Sequence, residues 1–189
     1  MNYLKTYSKL FSEHGYNIHT NREPRFLFTV QNVVKSNIKT LIDIGTGHGA
    51  LLKILHKVNF QTSLTSVDLK NYHGLRYVNH INADLTRIID HEKITGKYDI
   101  LTCLDCLEHV EENNIRDILN LFSRLSDTFL FSIANHSDII DGVELHLIQK
   151  ESIWWSNLLS EFFDIVYFES LYNNTLYLYK CKGRNYGNI

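Results

Sequence analysis

Short apolar runs alternate along this chain with stretches whose apolar residues recur at helical spacing. Leu27, Val30, Val33 and Val34 fall near i, i+3, i+6 and i+7, which predicts a helix with one apolar face beginning after Pro24. Thr40 to Ile44 reads as a buried strand closed by glycines, and Leu51, Ile54, Leu55 and Val58 form the next helical stripe. Ser63 to Val67 is a second strand, stopped at Asp68, and Tyr77 to Ile81 a weaker third, followed by Asn82-Ala83-Asp84. Tyr98 to Leu104 and Thr128 to Ile133 are further strands, with a helix between them marked by Ile115, Ile118, Leu119 and Phe122. Trp155, Leu158, Leu159 and Phe162 give a last helix. Phe163 to Phe168 and Leu176 to Cys181 are aromatic-rich strands joined by Leu171-Tyr-Asn-Asn-Thr175. Parallel neighbours need crossover helices, so this alternation predicts an α/β, doubly wound, mostly parallel seven-stranded sheet with a C-terminal antiparallel hairpin.

Composition narrows the class without changing that architecture. The chain has 189 residues, 44% hydrophobic and 21% charged, with one proline and nine glycines, which excludes a disordered or fibrous chain. A formal charge of −2 supplies no global field for nucleic acid or anionic membrane, so neither is expected as a partner. Cys103, Cys106 and Cys181 do not make a disulfide framework. The opening Met1-Asn-Tyr-Leu-Lys-Thr-Tyr-Ser lacks a secretion signal, and no apolar run approaches the roughly 20 residues of a membrane span. The expectation is a soluble, cytoplasmic domain.

The chemistry begins at Asp43-Ile-Gly45-Thr-Gly47-His-Gly49, between a buried strand and an amphipathic helix. Glycines there permit a tight bend and a close ligand approach, and the helix behind offers unpaired N–H groups. Gly45-x-Gly47-x-x-Ala50 also fits a dinucleotide fingerprint, and a strand-to-helix turn without any ligand is the alternative. Asp68 ends the next strand, where a carboxylate can accept both ribose hydroxyls of an adenosine or serve as a turn acid. Asp84 ends the strand after that, so three acids fall at the C-terminal ends of successive strands.

Leu41-Ile-Asp-Ile-Gly-Thr-Gly-His-Gly49, Val67-Asp68, Ala83-Asp84 and Tyr98-Asp-Ile-Leu-Thr-Cys-Leu-Asp-Cys-Leu-Glu-His-Val110 together resemble a class I S-adenosylmethionine-dependent methyltransferase. The resemblance spans about residues 38 to 181. It implies a Rossmann-like methyltransferase fold with S-adenosyl-L-methionine as cofactor, over 38–189, behind an N-terminal helical or lid segment over 1–37. It further implies that Asp43, Gly45, Thr46, Gly47 and Gly49 pack against the methionine and ribose portion. Asp68, with Leu69, would bind the ribose hydroxyls, and Asp84, with Ala83 and Leu85, would face the adenine amino group. Leu104 and Asp105 would face the methionine end or the substrate. Arg124-Leu-Ser-Asp127 stands where many relatives carry a Pro-Gly-Gly turn. A nicotinamide dehydrogenase is the rival on this fold, but no tyrosine here has a lysine four residues later.

An alcohol acceptor must lose a proton, and His109, His136 and His146, with Asp105 as partner, are the candidate catalytic groups. No metal is assigned, although Asp105-x-x-Glu108-His109 with a later histidine resembles the Glu-x-x-Glu-His arrangement of small-RNA 2′-O-methyltransferases and some quinone-pathway O-methyltransferases. Cys103-x-x-Cys106 has no second pair to complete four zinc ligands, so core packing or pocket lining is expected of it, and a core position of Trp155. The stretch from Tyr3 to Arg25 is expected to form a lid. The expected reaction is methyl transfer to a small-molecule acceptor, at a sugar or metabolite hydroxyl. An RNA 2′-O-methyltransferase with a divalent metal and a non-catalytic cofactor-binding partner subunit are the alternatives.

Overall fold

The computed structural model describes residues 23–58 and 61–184. The expected lid over Tyr3 to Arg25 lies almost wholly outside the described residues. Two compact units divide the chain, Met1–Ile94 and Thr95–Ile189.

In the first unit, α1 (Pro24–Ser36) starts with proline at its first turn, where no N–H is needed, and ends at Asn37 in the left-handed region (φ 46°). Its buried face is Phe26, Thr29 and Val33, whereas Leu27 and Val34 are 49% and 53% exposed. The expected apolar stripe is therefore rotated. Thr29 takes an inward position because its Oγ1 donates to Arg25 O (2.8 Å), leaving no unpaired hydroxyl in the core. Next come β1 (Thr40–Ile44), α2 (Ala50–Val58), β2 (Ser63–Asp68), β3 (Val78–Asn82) and a 3-10 segment over Ile88–Lys93. The three strands are parallel, with Asp43 opposite Ser66 and Ser66 opposite His80. β1 is buried almost throughout, as a strand covered on both faces must be, while β3 is largely uncovered, which explains its weaker apolar signal.

The second unit contains β4 (Ile100–Leu104), a 3-10 turn at Leu107–His109, α3 (Ile115–Leu125) and β5 (Thr128–Ala134). A short ribbon follows, β6 (Ile139–Ile140) and β7 (Val143–Glu144), then α4 (Ser152–Phe162), β8 (Phe163–Leu171) and β9 (Leu176–Gly183). β4 and β5 are parallel, and β9 runs antiparallel to both β5 and β8. The Tyr172-Asn-Asn174 turn holds three successive positive φ angles, which the two asparagines tolerate better than most residues. Tyr98 lies outside β4 and joins the sheet only by an isolated bridge to Ser126. Trp155, Phe122, Phe129, Phe131, Phe163 and Tyr179 are fully buried, and each such side chain contributes roughly 1.5–3 kcal/mol by leaving water. Cys103 is buried, Cys106 half-buried, and neither is in a disulfide.

Among the described residues, the long strands make a seven-stranded, mostly parallel sheet with an antiparallel C-terminal pair. None of the described helices is long and apolar enough to cross a membrane.

Candidate functional site

In the first unit the chain leaves β1 through Gly45, Gly47 and Gly49, with φ of 70°, 55° and 70°. At Gly49 the requirement is double: any Cβ would lie 2.8 Å from His73 Cβ and 3.1 Å from Leu75 Cδ1. The bend is pinned to β2 by Gly45 N–H donating to Val67 O (2.9 Å) and Gly47 N–H donating to Asp68 Oδ2 (2.8 Å). Thr46 Oγ1 donates to Asp43 O (2.8 Å), and Asp43 is itself buried. The second oxygen of Asp68 accepts Leu69 N–H (2.7 Å). Burial raises the Asp68 carboxyl to about 6, against the lowering effect of these two N–H bonds.

Asp68 O also accepts the N–H of buried Ala83 (2.9 Å), which ties the end of β3 to the end of β2. Asp84 Oδ1 accepts the N–H and Oγ1–H of Thr86 (3.0 and 2.6 Å). Buried Asp90 accepts Asp84 N–H (3.0 Å) and pairs with Lys93 (2.7 Å), and His91 Nε2 donates to Leu85 O (2.7 Å). Asp90 and His91, which the motif reading missed, clamp the Asp84-Leu85 backbone.

In the second unit Asp105 follows Leu104 at the end of β4 with φ 46°, a conformation a non-glycine residue holds only when its surroundings impose it. Ser132 imposes it: its carbonyl and its Oγ both receive Asp105 N–H (3.0 Å each), and its hydroxyl donates to Asp105 Oδ1. Glu108 is fully buried, and its Oε1 accepts Ala134 N–H (2.8 Å), closing the end of β5.

The structure brings the three expected histidines together. His109 and His146 rings stand 4.7 Å apart edge to face, and His136 is 4.8 Å from His146. His109 Nδ1 donates to Leu145 O (3.0 Å) and His146 Nδ1 to His136 O (2.6 Å), so both rings in neutral form carry the lone pair on Nε2. Burial pushes His109 down to about 3 and also lowers His146, which keeps both uncharged at neutral pH. Exposed His136 donates from Nδ1 to Ser137 O (3.0 Å), leaving its Nε2 as an acceptor. Glu144 holds this loop in shape by accepting from Ser137 Oγ (2.5 Å) and from the N–H groups of Asp138 and His146 (2.9 Å each). Those hydrogen bonds hold its carboxyl at about 2. Its role as loop organiser had no motif to announce it.

One ligand atom from each of Glu108, His109 and His146 lies within 4.8 Å of the others, a spacing open to a divalent cation. The chemistry of that set suits one: each histidine donates Nδ1–H to a backbone carbonyl, which makes Nε2 its lone-pair nitrogen.

A family model described as a methyltransferase domain matches residues 6–171. The chain belongs to the class I S-adenosylmethionine-dependent methyltransferases. S-adenosylmethionine is the methyl donor of this family, and positive-φ glycines beside a strand-end carboxylate are a donor set that fits its methionine and ribose portions. Solved methyltransferases share the fold. Magnesium protoporphyrin IX methyltransferase from Synechocystis PCC 6803 aligns at a TM-score of 0.69 and 14% identity over 96% of this chain and 99% of that one. An S-adenosylmethionine-dependent methyltransferase from Clostridium acetobutylicum ATCC 824 aligns at 0.67 and 14%, over 95% and 98%. An O-methyltransferase family protein from Burkholderia thailandensis aligns at 0.65 and 16% over 87% of this chain, which spans 56% of that protein. No curated protein matches by sequence.

Proposed function

We propose that this methyltransferase transfers a methyl group from S-adenosylmethionine to a hydroxyl of a small-molecule acceptor. The observation that carries the donor half is the Gly47 N–H bond to Asp68, which presents a carboxylate beside a bend whose alternate residues, Gly45, Gly47 and Gly49, lack a Cβ. On this reading Gly45, Gly47 and Gly49 lie against the methionine and ribose, Asp68 accepts the ribose hydroxyls, and the Ala83-Asp84-Leu85 segment meets the adenine. The donor supplies an electrophilic methyl on a sulfonium. The protein's part is to hold donor and acceptor in line at about 3–3.5 Å and to receive the hydroxyl proton.

His136 Nε2 is the proposed base, because this ring is exposed just beyond β5 and its Nδ1–H is already committed to Ser137 O. His146, Asp105 and His109 are proposed to shape the acceptor side. Two fold neighbours, an O-methyltransferase family protein and a magnesium protoporphyrin IX methyltransferase, are in keeping with a small-molecule acceptor. A screen of sugar and metabolite hydroxyls with methyl-labelled donor tests the reading. Label in a product ether supports it, whereas donor binding with no turnover on any acceptor favours a partner-subunit role.

A second reading is supported by the Glu108, His109 and His146 grouping: a divalent cation held there would lower the pKa of a ribose 2′-hydroxyl of RNA. Under it, activity on RNA appears with manganese and vanishes with a chelator or with His146→Ala.

A further inference from the structure

Ser66 lies in the middle of β2, fully buried, and its hydroxyl is shared between two imidazoles. His73 Nε2 is 2.9 Å from Ser66 Oγ and His80 Nδ1 is 2.7 Å from it. Neither ring belongs to the expected site, and a serine held between two histidines inside the core requires an explanation.

The proton directions in this group follow from a backbone donor at one end and an amide oxygen at the other. Leu75 N–H can only donate, and it points at His73 Nδ1 (2.9 Å), so that nitrogen is the lone-pair side of a neutral ring. The proton of His73 therefore sits on Nε2 and is given to Ser66 Oγ. Asn82 Oδ1, an acceptor facing His80 Nε2 (3.1 Å), puts the His80 proton on that nitrogen, so His80 Nδ1 is a lone pair and receives the proton of the Ser66 hydroxyl. Burial lowers both imidazoles, His73 to about 4, so neither charges at neutral pH and the chain of donors keeps one direction.

The first ring of this chain, His73, touches the glycine bend. His73 Cβ and Leu75 Cδ1 occupy the space where a side chain at position 49 would begin. Ser66 and Asp68 are two residues apart on β2, so they face the same side of the strand. The bend is thus held from one face of β2 at two points: Asp68 grips Gly47 directly, and Ser66 reaches Gly49 through His73.

We propose that Ser66 is a positioning residue for the cofactor bend, acting through His73 to hold Gly49 in the conformation that receives S-adenosylmethionine. The proposal rests on the reading that this bend binds the donor. It assigns Ser66 no bond to the ligand and no part in proton transfer to the acceptor.

The test is calorimetry with S-adenosylhomocysteine on the full chain carrying Ser66→Ala, His73→Ala, both together, and Ser66→Thr, with long-range nitrogen–proton spectra of the histidine rings. In the wild type both His73 and His80 are expected as Nε2–H tautomers. Ser66→Ala is expected to raise Kd about tenfold and to release the single tautomer of His80. Ser66→Thr, which keeps the hydroxyl, restores both. Because Ser66 acts through His73, the double variant loses no more affinity than His73→Ala alone. His73→Ala alters only a half-exposed loop side chain, so it reports even if Ser66→Ala does not fold. Wild-type affinity in His73→Ala, losses that add in the double variant, or His73 protonated on Nδ1 would overturn the proposal. A wild type that binds no S-adenosylhomocysteine would instead overturn the donor-site reading on which it rests.

Discussion

Gly49→Ala is the sharpest perturbation of the bend. The residue has φ +70°, where an L side chain is disfavoured by about 1–2 kcal/mol, and its new Cβ would meet His73 Cβ at 2.8 Å. Real Cβ atoms do not approach that closely, so the His73–Leu75 segment must move, at an overpacking cost of about 1–3 kcal/mol. The stiffer unfolded chain returns about 0.4–1 kcal/mol. The net expectation is a loss of about 3 kcal/mol, or roughly 6–12 °C in Tm for a chain of this size. Gly74→Ala is the internal control: it shares the positive φ (+61°) but has nothing within 4 Å of its Cβ, so it carries only the backbone strain. Urea denaturation of the two variants separates the effects. If Gly49→Ala is no less stable than Gly74→Ala, the close packing of His73 on the bend is wrong.

Four further outcomes follow from the site. The Asp68 carboxyl, raised to about 6, binds its proton more tightly folded than unfolded, so its contribution to stability falls as pH rises from about 4 to 6. Donor affinity has the opposite sign, because the carboxylate form is the better acceptor: Kd for S-adenosylhomocysteine should rise up to about tenfold per unit as pH drops below 6, and Asp68→Asn should flatten that profile. His136→Ala should lower turnover of an alcohol acceptor by about 10²-fold with Kd for the donor unchanged; undiminished turnover would remove the ring from the reaction. Glu108→Ala leaves Ala134 N–H buried without its acceptor and should destabilise by about 2 kcal/mol, whereas Glu108→Gln keeps an oxygen there and should be milder; equal losses would show that the charge, not the hydrogen bond, matters.

The sheet was legible wherever burial imposes a period. Ile115, Ile118, Leu119 and Phe122 are all fully buried on α3, and Thr40 to Ile44 is the first strand. The glycine bend and the acids at strand ends were legible because each needs a particular residue type at a particular spacing. The rotated face of α1 was not, because a threonine that bonds its own helix backbone enters a core as readily as a valine. The β6–β7 ribbon was overlooked although Asp141-Gly142, both at positive φ between Ile140 and Val143, is a strong two-residue hairpin signal. Ser66, Asp90, Ser132 and Glu144 escaped notice for a different reason: each acts through hydrogen bonds to residues distant in the chain, or to backbone N–H groups, which leave no periodic trace. The histidines at 109, 136 and 146 were visible singly, but only the fold reveals that they share one cluster.

The central claim is that the bend and Asp68 together bind an adenosyl sulfonium, and titration calorimetry of the wild type and Asp68→Ala with S-adenosylmethionine, against a nicotinamide dinucleotide control, addresses it most directly. The account predicts saturable binding of S-adenosylmethionine by the wild type, at least a tenfold loss in Asp68→Ala, and no binding of the dinucleotide. Tighter binding of the dinucleotide, or equal affinity for S-adenosylmethionine in both proteins, would contradict it.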